Sequence, residues 1–496
     1  MRPLYFIFWF GLGFSFRLFF RRIKEVRPSK SRFGRTIFVS NHPSSFLDPL
    51  VVSRLRKPIV YFMTRSDVFN RFTRPLFWLA HMLPIYRQQD GGNSQEKNKK
   101  VFKKATETLA RNRNLLIFGE GITDDIFERR LKPIKKGAIR IGFTALEDLD
   151  WKVEIRVQGL GLNYTNPGFL RSDVLLATAE PILLNDYKAA YLENPSKVIS
   201  ELNRELEQRM QAQITHVKSD EHVVLHEQIM MLNRKGMHVD CYDPQISLEA
   251  RWLYSQKLAN YLNGLSESQN EQISTIKNQI DAYQGTLREL GLKEAELHWF
   301  AIQKNWRLLT FLKLLVQLPM FLVGLIHIAL PTILVKRFVE SKLKRPVFWS
   351  STKMTMLLVL LPIWNILLFM VAANFISLET WSWVLLFFAL NIVALGYYLF
   401  IRNTTLLIKS LRYNAQSLRS VVAQRDAVLQ QLETMQFQWK KQHVLRNQNG
   451  CASSSQPEKT TAKSEAWSMS TNSTPSAKAE AVQTWANVGA KVLPPS

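Results

Sequence analysis

The chain has 496 residues and carries 65 Lys+Arg against 40 Asp+Glu, a formal net charge of +25. Such an excess calls for a polyanionic partner: nucleic acid, an anionic membrane surface or phosphorylated substrates. Two cysteines, Cys241 and Cys451, exclude a disulfide framework and a cysteine-rich metal site. A reducing, cytoplasm-facing setting fits that usage.

The first apolar run, Leu4 to Phe20, is aromatic-rich, interrupted by Arg17 and followed by Arg21 and Arg22. A cleaved leader has its charge before the apolar stretch, and a spanning helix needs about 20 apolar residues. Residues 1–30 are therefore expected to form an amphipathic anchor lying in the cytoplasmic leaflet. From 34 to 185, short apolar runs at 36–40, 58–63, 115–118, 153–162 and 174–179 alternate with helical patterns at 97–111 and 134–149. That alternation predicts an α/β domain, a sheet covered by helices, with its site at strand ends.

Residues 190–305 are polar and periodic, predicting a helical accessory region with helices at 195–214 and 249–262 and an arm over 269–300. Three apolar runs follow within 308–402, at 314–335, 354–375 and 383–401. The last two are long enough to span, and predict a C-terminal transmembrane hairpin. The stretch 336–353 holds six Lys or Arg, whereas the link between the last two runs holds only Glu379. The positive-inside rule puts 336–353 and everything after 402 in the cytoplasm. The run 314–335 contains Gln317, Pro319, His327 and Pro331. A crossing there would strand the preceding basic domain outside, so a re-entrant or in-plane segment with both ends inside is expected. Residues 404–446 are again helical, as a short coiled coil, and 447–496 have the composition of a disordered tail.

Four motifs in the α/β region carry chemistry. NHPSSFLDP (41–49) puts His42 at a strand end, with Asp48 six residues on. An imidazole near neutral pKa removes a hydroxyl proton, and a buried carboxylate fixes its tautomer. The same spacing alone is equally compatible with Asp48 capping a helix and His42 packed in a turn. MLPIYRQQD (82–90) delivers Arg87, a phosphate clamp or a surface arginine. LLIFGEGITDD (115–125) ends a buried strand in Gly-Glu-Gly, where Glu120 either lines the site or sits solvated in a tight turn. KPIKKGAIRIGF (132–143) brings Lys135, Lys136 and Arg140 to a helix start, as phosphate ligands or an ordinary basic turn.

In this order and spacing the motifs, with VQGLGLNYTNPGFLRSDV (157–174) as the fourth, resemble the glycerolipid acyltransferase superfamily over residues 34–180. That resemblance implies His42 as general base and Asp48 as its orienter. It implies Arg87 and the Glu120–Gly121 turn as acceptor-binding elements, and Thr123, Lys135 and Lys136 join them as candidate substrate-binding residues. The partners it implies are acyl-CoA or acyl carrier protein, a phosphorylated glycerol acceptor and membrane lipid, with no cofactor and no metal. Nucleic acid is disfavoured, because the basic residues flank apolar segments and no nucleic-acid motif accompanies them. A non-catalytic membrane lipid-binding scaffold is the alternative. Four departures stand out: five residues rather than the commoner four between His42 and Asp48, Gly119 in place of a proline, which should loosen that turn, Thr123 in place of the usual serine, and Gly159 in place of the fourth motif's proline. The five-residue spacing and the RQQD and GLNY strings look more like the fungal-type glycerol-3-phosphate or dihydroxyacetone-phosphate branch and its bacterial relatives.

Overall fold

The computed structural model describes residues 10–433 except 12, 14, 27–33, 56–59, 67–70, 72–73, 76–77, 79–80, 86–93, 241–242, 303–304, 415 and 417. These fall into two units, 10–264 with 302–413, and 265–301 with 414–433.

The first unit is built on an eight-stranded sheet. Its strands are β1 (Phe20–Val26), β2 (Thr36–Ser40), β3 (Val60–Arg65), β4 (Met82–Ile85), β5 (Asn114–Phe118), β6 (Arg156–Tyr164), β7 (Ser172–Thr178) and β8 (Ile182–Leu183). They lie in the order β1-β7-β6-β2-β5-β3-β4, with β8 on β6. Strands β2 to β6 run parallel to one another; β7 is antiparallel to β6, and β1 is parallel to β7. Parallel strands need helical crossovers, which cover both faces and bury central strands throughout. Accordingly, every residue of β2 and β7 is buried.

The two-residue period of a strand sorts side chains into two cores. Ile37, Val39, Leu115 and Val157 pack against α2 (Ser94–Ala110), α3 (Gly137–Asp148) and α4 (Pro195–Gln211). Phe38, Leu116, Leu160, Leu162 and Tyr164 point to the other face, where Phe16 and Phe20, α1 (Leu47–Leu55) and Met354 cover them. Within the segment read as an in-plane anchor, Phe20–Val26 is thus a strand. Pairing with β7 supplies its backbone partners, and Asp173 explains its arginines. That carboxylate is fully buried and takes charge-assisted bonds from Arg21 (2.9 Å) and Arg22 (2.8 Å), with Arg251 at 3.5 Å.

Among the described residues, three helices are long and apolar enough to cross a membrane: Trp306–Lys342, Pro346–Ala372 and Thr380–Ser410. The stretch 314–335 has no re-entrant turn; it lies inside the first of these helices. Pro331 has no N–H to give residue 327, and a widened π turn at Leu325–Ala329 takes up the mismatch. The Thr332 hydroxyl donates to the carbonyls of Ile328 (2.8 Å) and Ala329 (2.9 Å). The last two apolar helices do not pair along their length. Thr380–Ser410 packs on Trp306–Gly324, and Trp349–Ala372 packs on Leu330–Lys342. Gln317 of the long helix accepts from Asn403 of Thr380–Ser410 (3.1 Å). The carboxyl flank of the long helix reaches the α/β domain. Just past its end Arg345 binds Asp125.

In the second unit, Glu267–Glu289 is one helix opened by a Ser266–Gln269 capping box. Short Glu294–Leu297 comes next, so the arm over 269–300 is one long helix with a brief return. Glu294 is buried and accepts from Tyr283 Oη and from Arg425 Nε (2.6 Å).

Candidate active site

Strands β2 and β5 are neighbours, with Ser40 opposite Phe118. The loops that leave these two strands therefore meet at the carboxyl edge of the sheet, although they are 78 residues apart in the chain. Asn41 continues β2 with its side chain. Its amide donates to the Leu162 carbonyl (3.0 Å) and accepts from the Leu162 N–H (2.7 Å). The chain then reverses through Ser45 at φ 48°, and Asp48 enters the first turn of α1.

That reversal carries the carboxylate back to the imidazole. His42 Nδ1 lies 2.9 Å from Asp48 Oδ2. Asp48 is fully buried; its Oδ2 also accepts the Ser44 N–H (2.9 Å), and its Oδ1 the Tyr164 hydroxyl (2.9 Å). Burial pushes the Asp48 carboxyl up, and the donors from His42, Ser44 and Tyr164 oppose that rise by favouring the charged form. The carboxylate accepts at Nδ1, so the proton resides there and Nε2 keeps its lone pair. Stacking on Phe118, centroid to centroid 4.0 Å at 17°, fixes the ring plane. The His42 side chain is 18% exposed, so the ring is sheltered but reachable.

Glu120 follows β5 after Gly119 and is only 6% exposed. One oxygen accepts the His42 N–H (3.1 Å) and the other the Lys132 N–H (3.3 Å). Burial raises its pKa to about 7, with the two N–H donors pulling the other way. Its neighbours are both constrained. Gly119 leaves no room for a side chain, since a Cβ would lie 2.8 Å from Ile134 Cγ2 and 2.9 Å from Val39 Cγ1. Gly121 stands at φ +72°, which L-residues with side chains avoid. The turn is therefore tight, and Gly119 does not loosen it.

Residues 22–153 match the family model described as Acyltransferase. Over that stretch the chain is similar to the acyltransferase family. The match starts inside β1 and ends before the fourth motif. No curated protein matches the chain. Among solved structures, the crystal structure of the 1-acyl-sn-glycerophosphate (LPA) acyltransferase PlsC from Thermotoga maritima is similar at 15% identity. It covers 40% of this chain and 78% of that one with a TM-score of 0.27, a likeness too slight to carry an argument.

Around His42, the other expected site residues divide. The Lys135 side chain lies against Gly121, its Nζ 2.7 Å from where a Cβ would stand. Lys136 is turned to α4, where it donates to Ser200 (2.7 Å). Arg140 is exposed on α3. Thr123 lies on the loop beyond Gly121, its carbonyl accepting from Arg345 Nη2 (2.6 Å). Arg87 lies outside the described residues. Tyr164, Asn41, Phe118 and Arg345 did not emerge from motif reading. Asn41, Phe118 and Tyr164 lie inside the strings NHPSSFLDP, LLIFGEGITDD and GLNY without being singled out there, and Arg345 lies outside all four motifs.

Proposed function

We propose that the chain is a membrane-bound glycerolipid O-acyltransferase. Its donor is acyl-CoA or acyl carrier protein, and its acceptor is glycerol-3-phosphate or its 1-acyl derivative. The observation that carries this reading is the 2.9 Å contact from His42 Nδ1 to the buried Asp48 carboxylate, at the mouth of the sheet. With Nδ1 protonated, Nε2 of His42 takes the proton of the acceptor hydroxyl as its oxygen attacks the thioester carbonyl carbon. The C–O bond forms and the C–S bond breaks. The imidazolium, steadied by Asp48, returns the proton to the departing thiolate. Glu120 positions the loop by holding the His42 and Lys132 N–H groups. Arg87, Gly121, Thr123 and Lys135 serve the acceptor and its phosphate, whereas Lys136, bound to Ser200, stands apart from them. Three long apolar helices and the net positive charge support a site held against an anionic membrane, with the domain on the cytoplasmic face.

The test is acyl transfer in membranes, with each acceptor offered in turn to the wild type and to His42→Ala. The variant should lose turnover while still sedimenting with the membrane. Undiminished transfer by it would remove the assigned base.

A further inference from the structure

The loop that carries Glu120 and Gly121 is tied down from two sides. Within the domain, Glu120 accepts two N–H groups and the Lys132 ammonium pairs with Asp124. The other tie comes from the connection between two apolar helices. Arg345 Nε lies 2.8 Å from Asp125 Oδ1, and its Nη2 donates to the Thr123 carbonyl at 2.6 Å. That connection is itself fixed to the helices on both sides. Lys353 pairs with Glu340 (2.5 Å), and the Trp349 indole N–H donates to the Leu343 carbonyl (2.8 Å). The Arg345 guanidinium also rests on the Phe348 ring, 5.3 Å from its centroid. A planar fork can hold a carboxylate and a carbonyl at once, which an ammonium does poorly.

We propose that Arg345 is a positioning residue for acyl transfer, acting through Thr123 and Asp125 to hold the Glu120–Gly121 turn where the acceptor must bind. This inference rests on the acyltransferase reading. Asp125 and Arg345 are 49% and 40% exposed, so their ion pair adds little to global stability. What it fixes is where an acceptor-binding loop sits, and a loop out of place loses binding that ground state and transition state share. The His42–Asp48 pair lies on a different loop and keeps its geometry when Arg345 is lost. The defect should therefore appear in the KM for the acceptor, with kcat largely kept.

The experiment uses the full chain in membranes and compares wild type with Arg345→Asp, Asp125→Arg, the double exchange and Arg345→Lys. Each single reversal should raise the acceptor KM about tenfold at unchanged thermal stability. The double exchange should recover at least about a third of that loss, because it restores the ion pair but not the Thr123 contact; Arg345→Lys should fall between wild type and reversal. Wild-type KM in both single reversals overturns the proposal, as does a double exchange no better than the worse single. Absence of acyl transfer by the wild type itself would instead overturn the assigned activity, and this inference with it.

Discussion

Asp48→Asn separates charge from shape at the proposed catalytic pair. The amide oxygen can take the place of Oδ2 and keep the donors from Ser44 and His42, both at 2.9 Å. The amide NH2 then faces the Tyr164 hydroxyl, which can accept as readily as it donates. The fold keeps its hydrogen bonds and sheds a buried charge. What disappears is a negative charge beside the ring at the moment it becomes imidazolium. Two charges about 4 Å apart at an effective dielectric near 20 attract by about 4 kcal/mol. That corresponds to a fall in kcat of about a thousandfold. Turnover at saturating acceptor and donor, read beside a thermal melt, is the assay: kcat should collapse while the KM values and Tm stay near wild type. Asp48→Ala is the control. It leaves the Ser44 N–H and the Tyr164 hydroxyl without their acceptor, about 1–3 kcal/mol each, and should melt early as well as turn over slowly. An Asn variant retaining more than about a tenth of wild-type kcat would refute the electrostatic role given to the carboxylate.

Glu120 should leave a mark on the pH dependence of stability. Its folded pKa of about 7 stands above the ordinary 4.5 because it is buried. The stability this group contributes is fully present below about pH 4.5 and is lost as pH rises through about 7, in all about 3 kcal/mol. Glu120→Gln cannot ionise and offers one acceptor to two N–H donors. It should melt below wild type at about pH 5 and close the gap by about pH 8; a gap independent of pH would show that Glu120 does not titrate in this window. Gly119→Ala should cost about 1–3 kcal/mol through overlap with Ile134 and Val39. Gly119→Pro should melt lower still, because it also removes the N–H that donates to Ser40 (3.2 Å); equal Tm values for Gly119→Pro and wild type would contradict the close packing at this turn.

Local features were the legible ones. The apolar runs that became β2, β3, β5, β6 and β7 show their pattern within a few residues. His42 and Asp48 are six apart, so the chain reversal joining them spans one turn. Contacts that depend on strand order were hidden. The Glu120 contact to the His42 N–H depends on β5 lying beside β2, a pairing no short window contains. Strand β1 reads FRRIKEV, whose charges look like the polar flank of an anchor until Asp173 is known to lie beneath them. Arg345 stands 220 residues from Asp125, in a stretch whose basic residues read equally well as a topology signal. Gly119 misled in the opposite sense: a missing proline suggested slack, whereas packing by Ile134 and Val39 makes glycine the residue that fits.

The position of β1 has a consequence for assembly. Among the described strands it is the first to leave the ribosome, yet its ladder partner, β7, is made about 150 residues later, once β2 to β6 have emerged. Until then Arg21 and Arg22 have no Asp173 to meet, and the aromatic stretch ahead of them has no sheet to cover. A nascent chain in that state offers cations and phenyl rings to whatever anionic, oily phase is closest. Docking of β1 is the step that closes the sheet over Phe16 and Phe20, so delivery to the bilayer and completion of the catalytic fold compete for the same short piece of chain.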